Sequence, residues 1–87
     1  MLLITIKLLG GTKKIIGASS IVFYRPIASI SEILAFLQEN AVDSKILDSN
    51  NLLIAVNGIE SSALSGNDTV AKTGDVITIV SVVHGGI

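Results

Sequence analysis

One histidine, His84, and no cysteine occur in the 87 residues. Those two counts remove most of the chemistry that a small domain could perform. Without thiols there are no disulfides, iron–sulfur clusters, thiolate zinc sites or cysteine nucleophiles. A two-histidine metal site is excluded as well, and Ser–His–Asp catalysis would rest on a base at residue 84. His84 reads more simply as a polar residue that closes a strand. The carboxylates Asp43, Asp48, Glu60, Asp68 and Asp75 fall in stretches that read as loops and turns, where such groups face solvent or cap turns. The glycines of "LLGGTKK" do not form a phosphate loop, because no Gly-Lys-Ser/Thr follows at the required spacing. What remains is "VSVVHGGI", residues 80–87. Glycine has no Cβ, so Gly85-Gly86 could thread a narrow channel in a partner, and nothing crowds the Gly86 carbonyl against attack. The same dipeptide also fits a frayed end with no chemistry, and taken alone it leaves both readings open.

The elements that must carry this tail follow from periodicity. In "LLITIKLL", Leu2, Ile4, Ile6 and Leu8 alternate with Thr5 and Lys7, which indicates a strand with one buried face. Gly10-Gly11 ends it and begins a turn. "SIVFY" reads as a second strand, stopped by Arg25-Pro26, and a short glycine-containing connection pairs the two as an antiparallel hairpin. Over 29–40 the period becomes helical. Ser29 and Glu32 have capping-box spacing, Ile30, Ile33, Leu34 and Leu37 form one apolar stripe, and Asn40 is the expected stop. "VDSKILDSNN", residues 42–51, reads as a loop with at most a short turn.

"LLIAVNGIE" predicts a third strand running into an Asn57-Gly58 hairpin turn. A turn-rich crossover with a short strand follows, punctuated by Gly66-Asn67-Asp68 and Gly74-Asp75. "VITIVSVV" is apolar on both faces and reads as the central strand. One helix covers one face of a four- or five-stranded sheet, giving an α+β domain with its other face partly open. Ile77, Ile79 and Ser81 are the expected exposed patch on that face, of the kind that marks a partner surface.

Composition is consistent with this plan. Hydrophobic residues make up 49% and charged residues 15%, the balance of one packed domain rather than a disordered chain. At this size nearly all apolar residues must serve one core, leaving no room for a buried cofactor pocket. A net charge of −1 gives no electrostatic footprint for nucleic acid. Lys13-Lys14 read as solvated surface, and Phe23, Tyr24 and Phe36 are too few for a base-stacking platform. Lys7 interrupts the apolar N-terminal stretch well short of a membrane span, and no basic region precedes it as in a signal peptide. The expectation is a cytoplasmic protein without membrane or nucleic-acid partners.

The order strand–strand–helix–strand–strand with Gly-Gly after the last strand resembles the ubiquitin-like β-grasp fold. More closely it resembles the sulfur-carrier branch: the ubiquitin-related modifier, the small subunit of molybdopterin synthase and the thiamine sulfur carrier. "IKLLGG", "VNG", "TGDVITIVSVV" and "HGG" carry the resemblance over nearly the full length. It implies a mixed-sheet β-grasp domain over 1–84 and a tail over 85–87. It also implies that the chain is not an enzyme but the substrate of a ubiquitin-activating-type adenylating enzyme. That enzyme would use ATP, and this chain would bind no cofactor.

Gly86 would be adenylated and turned into a thiocarboxylate, with sulfur passing to a tRNA thiolation enzyme or a synthase large subunit, or would be joined to lysines. Gly85 and His84 would thread the partner. The family ends at the second glycine, whereas Ile87 follows here. The implied remedy is a protease that cuts between Gly86 and Ile87; an activating enzyme that tolerates Ile87, or a chain that is not activated, are the other readings. A domain of different class, a β-grasp adaptor acting through its open sheet face, also fits the sequence, as does an accessory subunit of a synthase.

Overall fold

The computed structural model describes residues 2–39 and 52–81. The expected loop over 42–51, the helix stop at Asn40 and the tail residues His84, Gly85, Gly86 and Ile87 lie outside them. The described elements are β1 (Ile4–Leu9), α1 (Gly11–Ile16), β2 (Ser20–Phe23), β3 (Ile27–Ser29), α2 (Ile30–Glu39), β4 (Leu52–Val56), β5 (Ile59–Glu60), β6 (Val70–Lys72) and β7 (Val76–Ser81). Five strands form a mixed sheet in the order β2-β1-β7-β4-β5, and β3 and β6 form a separate antiparallel pair. Among the described strands only β1 and β7 run parallel, so the first and last of them lie side by side at the middle of the sheet.

Alternation in β1 buries Ile4, Ile6 and Leu8 completely and turns Lys7 to solvent; Leu2 precedes the strand and is exposed. On β7 the same alternation buries Ile77 and Ile79. These side chains meet Ile30, Ile33, Leu34 and Leu37 of α2 in one core, closed by Phe23, Ile54 and Val56. Each fully buried Ile or Leu contributes about 1.5–3 kcal/mol of transfer free energy, so the five from the two central strands dominate the apolar driving force. The Phe23 and Phe36 rings stack tilted at 4.9 Å against the edge of this core.

Local chemistry sets the boundaries. The Glu32 amide donates to Ser29 Oγ at 3.1 Å, and the Ser29 amide donates to Glu32 Oε1 at 3.0 Å, a reciprocal capping box that starts α2. The β4–β5 hairpin turns through Asn57 at φ 50° and Gly58 at φ 86°, both positive as a two-residue type I′ turn requires.

Three expectations need correction. The connection after β1 is not a bare turn but holds the six-residue helix α1. Its start is the Gly10 break at φ 61°, and its stop is Gly17 in the left-handed conformation, whose N–H donates to the Lys13 carbonyl at 2.8 Å. The strand β3 was not expected either. Its three residues precede α2 directly, and their partner β6 lies some forty residues on, a pairing with no local signature. The third correction concerns the partner patch: Ile77 and Ile79 face α2 and are 0% exposed, so they are core and not surface.

Candidate functional site

The residues singled out for chemistry all follow β7, so the site begins where β7 leaves the sheet. Ser81 is its last described residue, half-buried and opposite Leu52 of β4. Gly86 lies five residues beyond, within about 17 Å of Ser81 at full extension. The central position of β7 matters here. A strand hydrogen-bonded on both sides cannot fray with an edge, so the root of the tail is held by β1 and β4 together.

Around that root, β1 contributes Leu9 and the turn that follows it. Leu9 pairs with Val80, and Val80 pairs on its other side with Leu53. These three side chains share the sheet face opposite α2, with Leu9 48% and Leu53 41% exposed. The next row on the same face runs through Lys7, Thr78 and Ala55. An exposed apolar row beside the tail root is therefore present, but it is Leu9–Val80–Leu53 and not Ile77–Ile79–Ser81. Thr78 held the signal that sets this phase. It is the polar residue amid "VITIV", so Val76, Thr78 and Val80 take the open face and Ile77 and Ile79 the core face.

Sequence reasoning also passed over Thr12. Its side chain is fully buried in the first turn of α1 beside the end of β7, and its hydroxyl donates to the Leu9 carbonyl at 2.6 Å and reaches the Ile79 carbonyl at 3.1 Å. The isolated Gly-Gly-Thr stretch carries no local sign of this pairing.

At the opposite end of β7 the carboxylates cap turns. Asp75 Oδ1 accepts from the Asn57 side-chain amide at 3.0 Å and Oδ2 from the Lys72 amide at 2.9 Å, while the Val76 amide donates to Asn57 Oδ1 at 2.9 Å. The Asn57 hydrogen bond, then that of Lys72, holds the Asp75 carboxyl below its ordinary range against a small opposing desolvation. Glu32 is lowered by the Ser29 amide first and by Arg25 second. Arg25 lies 2.7 Å from Glu32, and its guanidinium also lies over the Phe23 ring. Neither carboxylate is near the tail root, and both have structural partners that account for their shifts.

Lys13 and Lys14 are exposed on α1. Among the described residues no group of three or more His, Asp or Glu side chains could hold a metal ion, and no helix is long and apolar enough to cross a membrane.

The arrangement places the last described residues of β7 beside an exposed apolar row. The model of the ThiS family matches residues 6–86. No curated protein sequence matches the chain. Among solved structures, the small archaeal modifier protein 1 (SAMP1) of Methanosarcina acetivorans superposes with a TM-score of 0.77 at 20% identity, covering 99% of either chain. Urm1 of Trypanosoma brucei gives 0.71 at 20% identity over 97% of this chain and 95% of that one. A chain of the Amycolatopsis orientalis BexX/CysO complex gives 0.72 at 18% identity, covering 95% and 99%. At these identities the structures establish a shared fold, the ubiquitin-like β-grasp.

Proposed function

The chain belongs to the ThiS family, and from that premise we propose that it works through the carboxyl of Gly86, as a protein-borne sulfur carrier or a ubiquitin-like modifier. The observation that carries this reading is the reach of the family match, which runs through the central strand and ends at residue 86, the second glycine. In the proposed sequence, whatever follows Gly86, beginning with Ile87, is cut away by a protease. A β-branched residue next to the reacting carbonyl would crowd a channel shaped for glycine. A ubiquitin-activating-type enzyme then brings ATP, and a Gly86 carboxylate oxygen attacks the α-phosphorus with loss of pyrophosphate.

The acyl-adenylate has two fates. A hydrosulfide equivalent displaces AMP and leaves a thiocarboxylate, which donates sulfur in tRNA thiolation or molybdopterin synthesis. Alternatively, a lysine amine displaces AMP and forms an isopeptide bond. ATP and its metal belong to the activating enzyme, and this chain supplies only the carboxyl, the glycine tail and the docking face. The BexX/CysO complex, in which a protein of this fold is solved with a second protein, supports partner-dependent action.

A second reading, a non-conjugated adaptor, is favoured by the exposed Leu9–Val80–Leu53 row. One experiment separates the two. The chain ending at Gly86 is incubated with its cognate activating enzyme, ATP and a sulfide donor, and intact mass is measured for the wild-type sequence, Gly86→Ala and a chain lacking 85–87. The carrier reading expects one oxygen-to-sulfur exchange at Gly86 that both variants lose. Partner binding that survives the deletion, with no mass change in the wild type, supports the adaptor instead.

A further inference from the structure

In the parallel pair at the middle of the sheet, β1 stops at Leu9 opposite Val80, while β7 continues to Ser81. Gly10, Gly11 and Thr12 take over on that side. A Cβ on Gly10 would come 3.9 Å from the Ser81 carbonyl oxygen, and one on Gly11 would stand 3.2 Å from Ser81 Cβ and 3.3 Å from its Oγ. The main chain of this turn therefore lies directly against the last described residue of β7, a close approach that absent side chains permit.

Thr12 completes the contact. Its hydroxyl proton is shared between the carbonyl that ends β1 and the carbonyl of Ile79, two residues before Ser81. The side chain is 0% exposed, and a valine of the same shape would fill the space equally well. The hydroxyl is therefore placed to join two strand ends rather than to fill volume. Burying it without its acceptors would be costly, so the pairing fixes the Thr12 rotamer against the Leu9 and Ile79 carbonyls.

We propose that Thr12 is a positioning residue for the C-terminal carboxyl: by tying the Ile79 carbonyl to the end of β1, it sets the direction in which β7 hands the tail to the activating enzyme. This rests on the reading that Gly86 is the activated residue. The tie acts on aim rather than on docking, because the apolar row Leu9–Val80–Leu53 lies on the sheet face opposite α2 and does not include Thr12.

The test compares wild type, Thr12→Val, which keeps the shape and loses the hydroxyl, and Thr12→Ser, which keeps the hydroxyl. Amide hydrogen exchange at Val80 and Ser81 of the full chain is read first. It should quicken in Thr12→Val and return in Thr12→Ser, with core amides such as Ile33 unchanged. Adenylation kinetics follow, with the full chain or the chain ending at Gly86, whichever the enzyme accepts. Thr12→Val should lower kcat about fivefold, the rate equivalent of one net hydrogen bond, and leave the KM for the carrier within about twofold; Thr12→Ser should restore kcat. Unchanged exchange and kcat in Thr12→Val, a loss confined to KM, or a defect that Thr12→Ser does not rescue would each overturn the assignment while leaving the carrier reading intact. A wild-type chain that is never adenylated overturns the carrier reading itself and takes this proposal with it.

Discussion

Asn57 and Asp75 stand eighteen residues apart in sequence and hold each other across the base of β7. One bond joins their side chains, and two more tie in the amides of Val76 and Lys72. The "VNG" and "TGD" stretches, which look like two unrelated turns when read separately, are halves of one network. Its charge dependence has a definite sign. Asp75 and Glu32 both have folded-state pKa values below their unfolded ones. Their contribution is complete above the unfolded carboxylate values and is lost as pH falls through the folded ones. Thermal melts should therefore be flat from pH 7 to about 5 and fall below about pH 4, and the double variant Asp75→Asn, Glu32→Gln should flatten that acid limb. An acid limb of wild-type steepness in the double variant would remove both residues from this role.

At the scale of elements, what was legible depended on whether the deciding contact was local. The helix α2 was readable because its signals lie within it: Ser29 and Glu32 bond each other, and four apolar residues recur at helical spacing. The Asn57-Gly58 hairpin was equally readable, since positive φ at two successive positions is a local demand. By contrast, α1 was hidden behind Gly10-Gly11, although Gly17 after "KKII" is the helix-stop signal that would have exposed it. The short strand expected in the crossover is β6, whereas β3 and its pairing with a strand so distant in sequence had no local signal.

The apolar patch was misplaced by one residue of register, which in a strand moves every side chain to the other face. That phase assignment is testable with two substitutions. Leu53→Lys, on the open face, should change stability by no more than about 0.5 kcal/mol. Ile79→Ala, in the core, should cost about 2–5 kcal/mol in urea unfolding. A severe loss from Leu53→Lys, or none from Ile79→Ala, would reverse the phase.

At the scale of the whole molecule, the strand that precedes Gly85-Gly86 in sequence lies within the sheet and not at its edge. A Gly-Gly dipeptide after an edge strand would have a root free to fray with that edge. Here it follows a strand placed centrally in the sheet, between parallel and antiparallel neighbours. Its root is tied by Thr12 and lies beside an exposed apolar row. The sheet and α2 thus form a rigid mount, and Gly86 is the group it presents in the proposed function.

The most direct test is the intact mass of the protein isolated from its own cells, taken before and after alkylation of acyl sulfur. The account predicts a chain that ends at Gly86, with a fraction carrying sulfur in place of one carboxyl oxygen or joined through Gly86 to a lysine of another protein. A population that uniformly retains Ile87 and an unmodified carboxyl would contradict it.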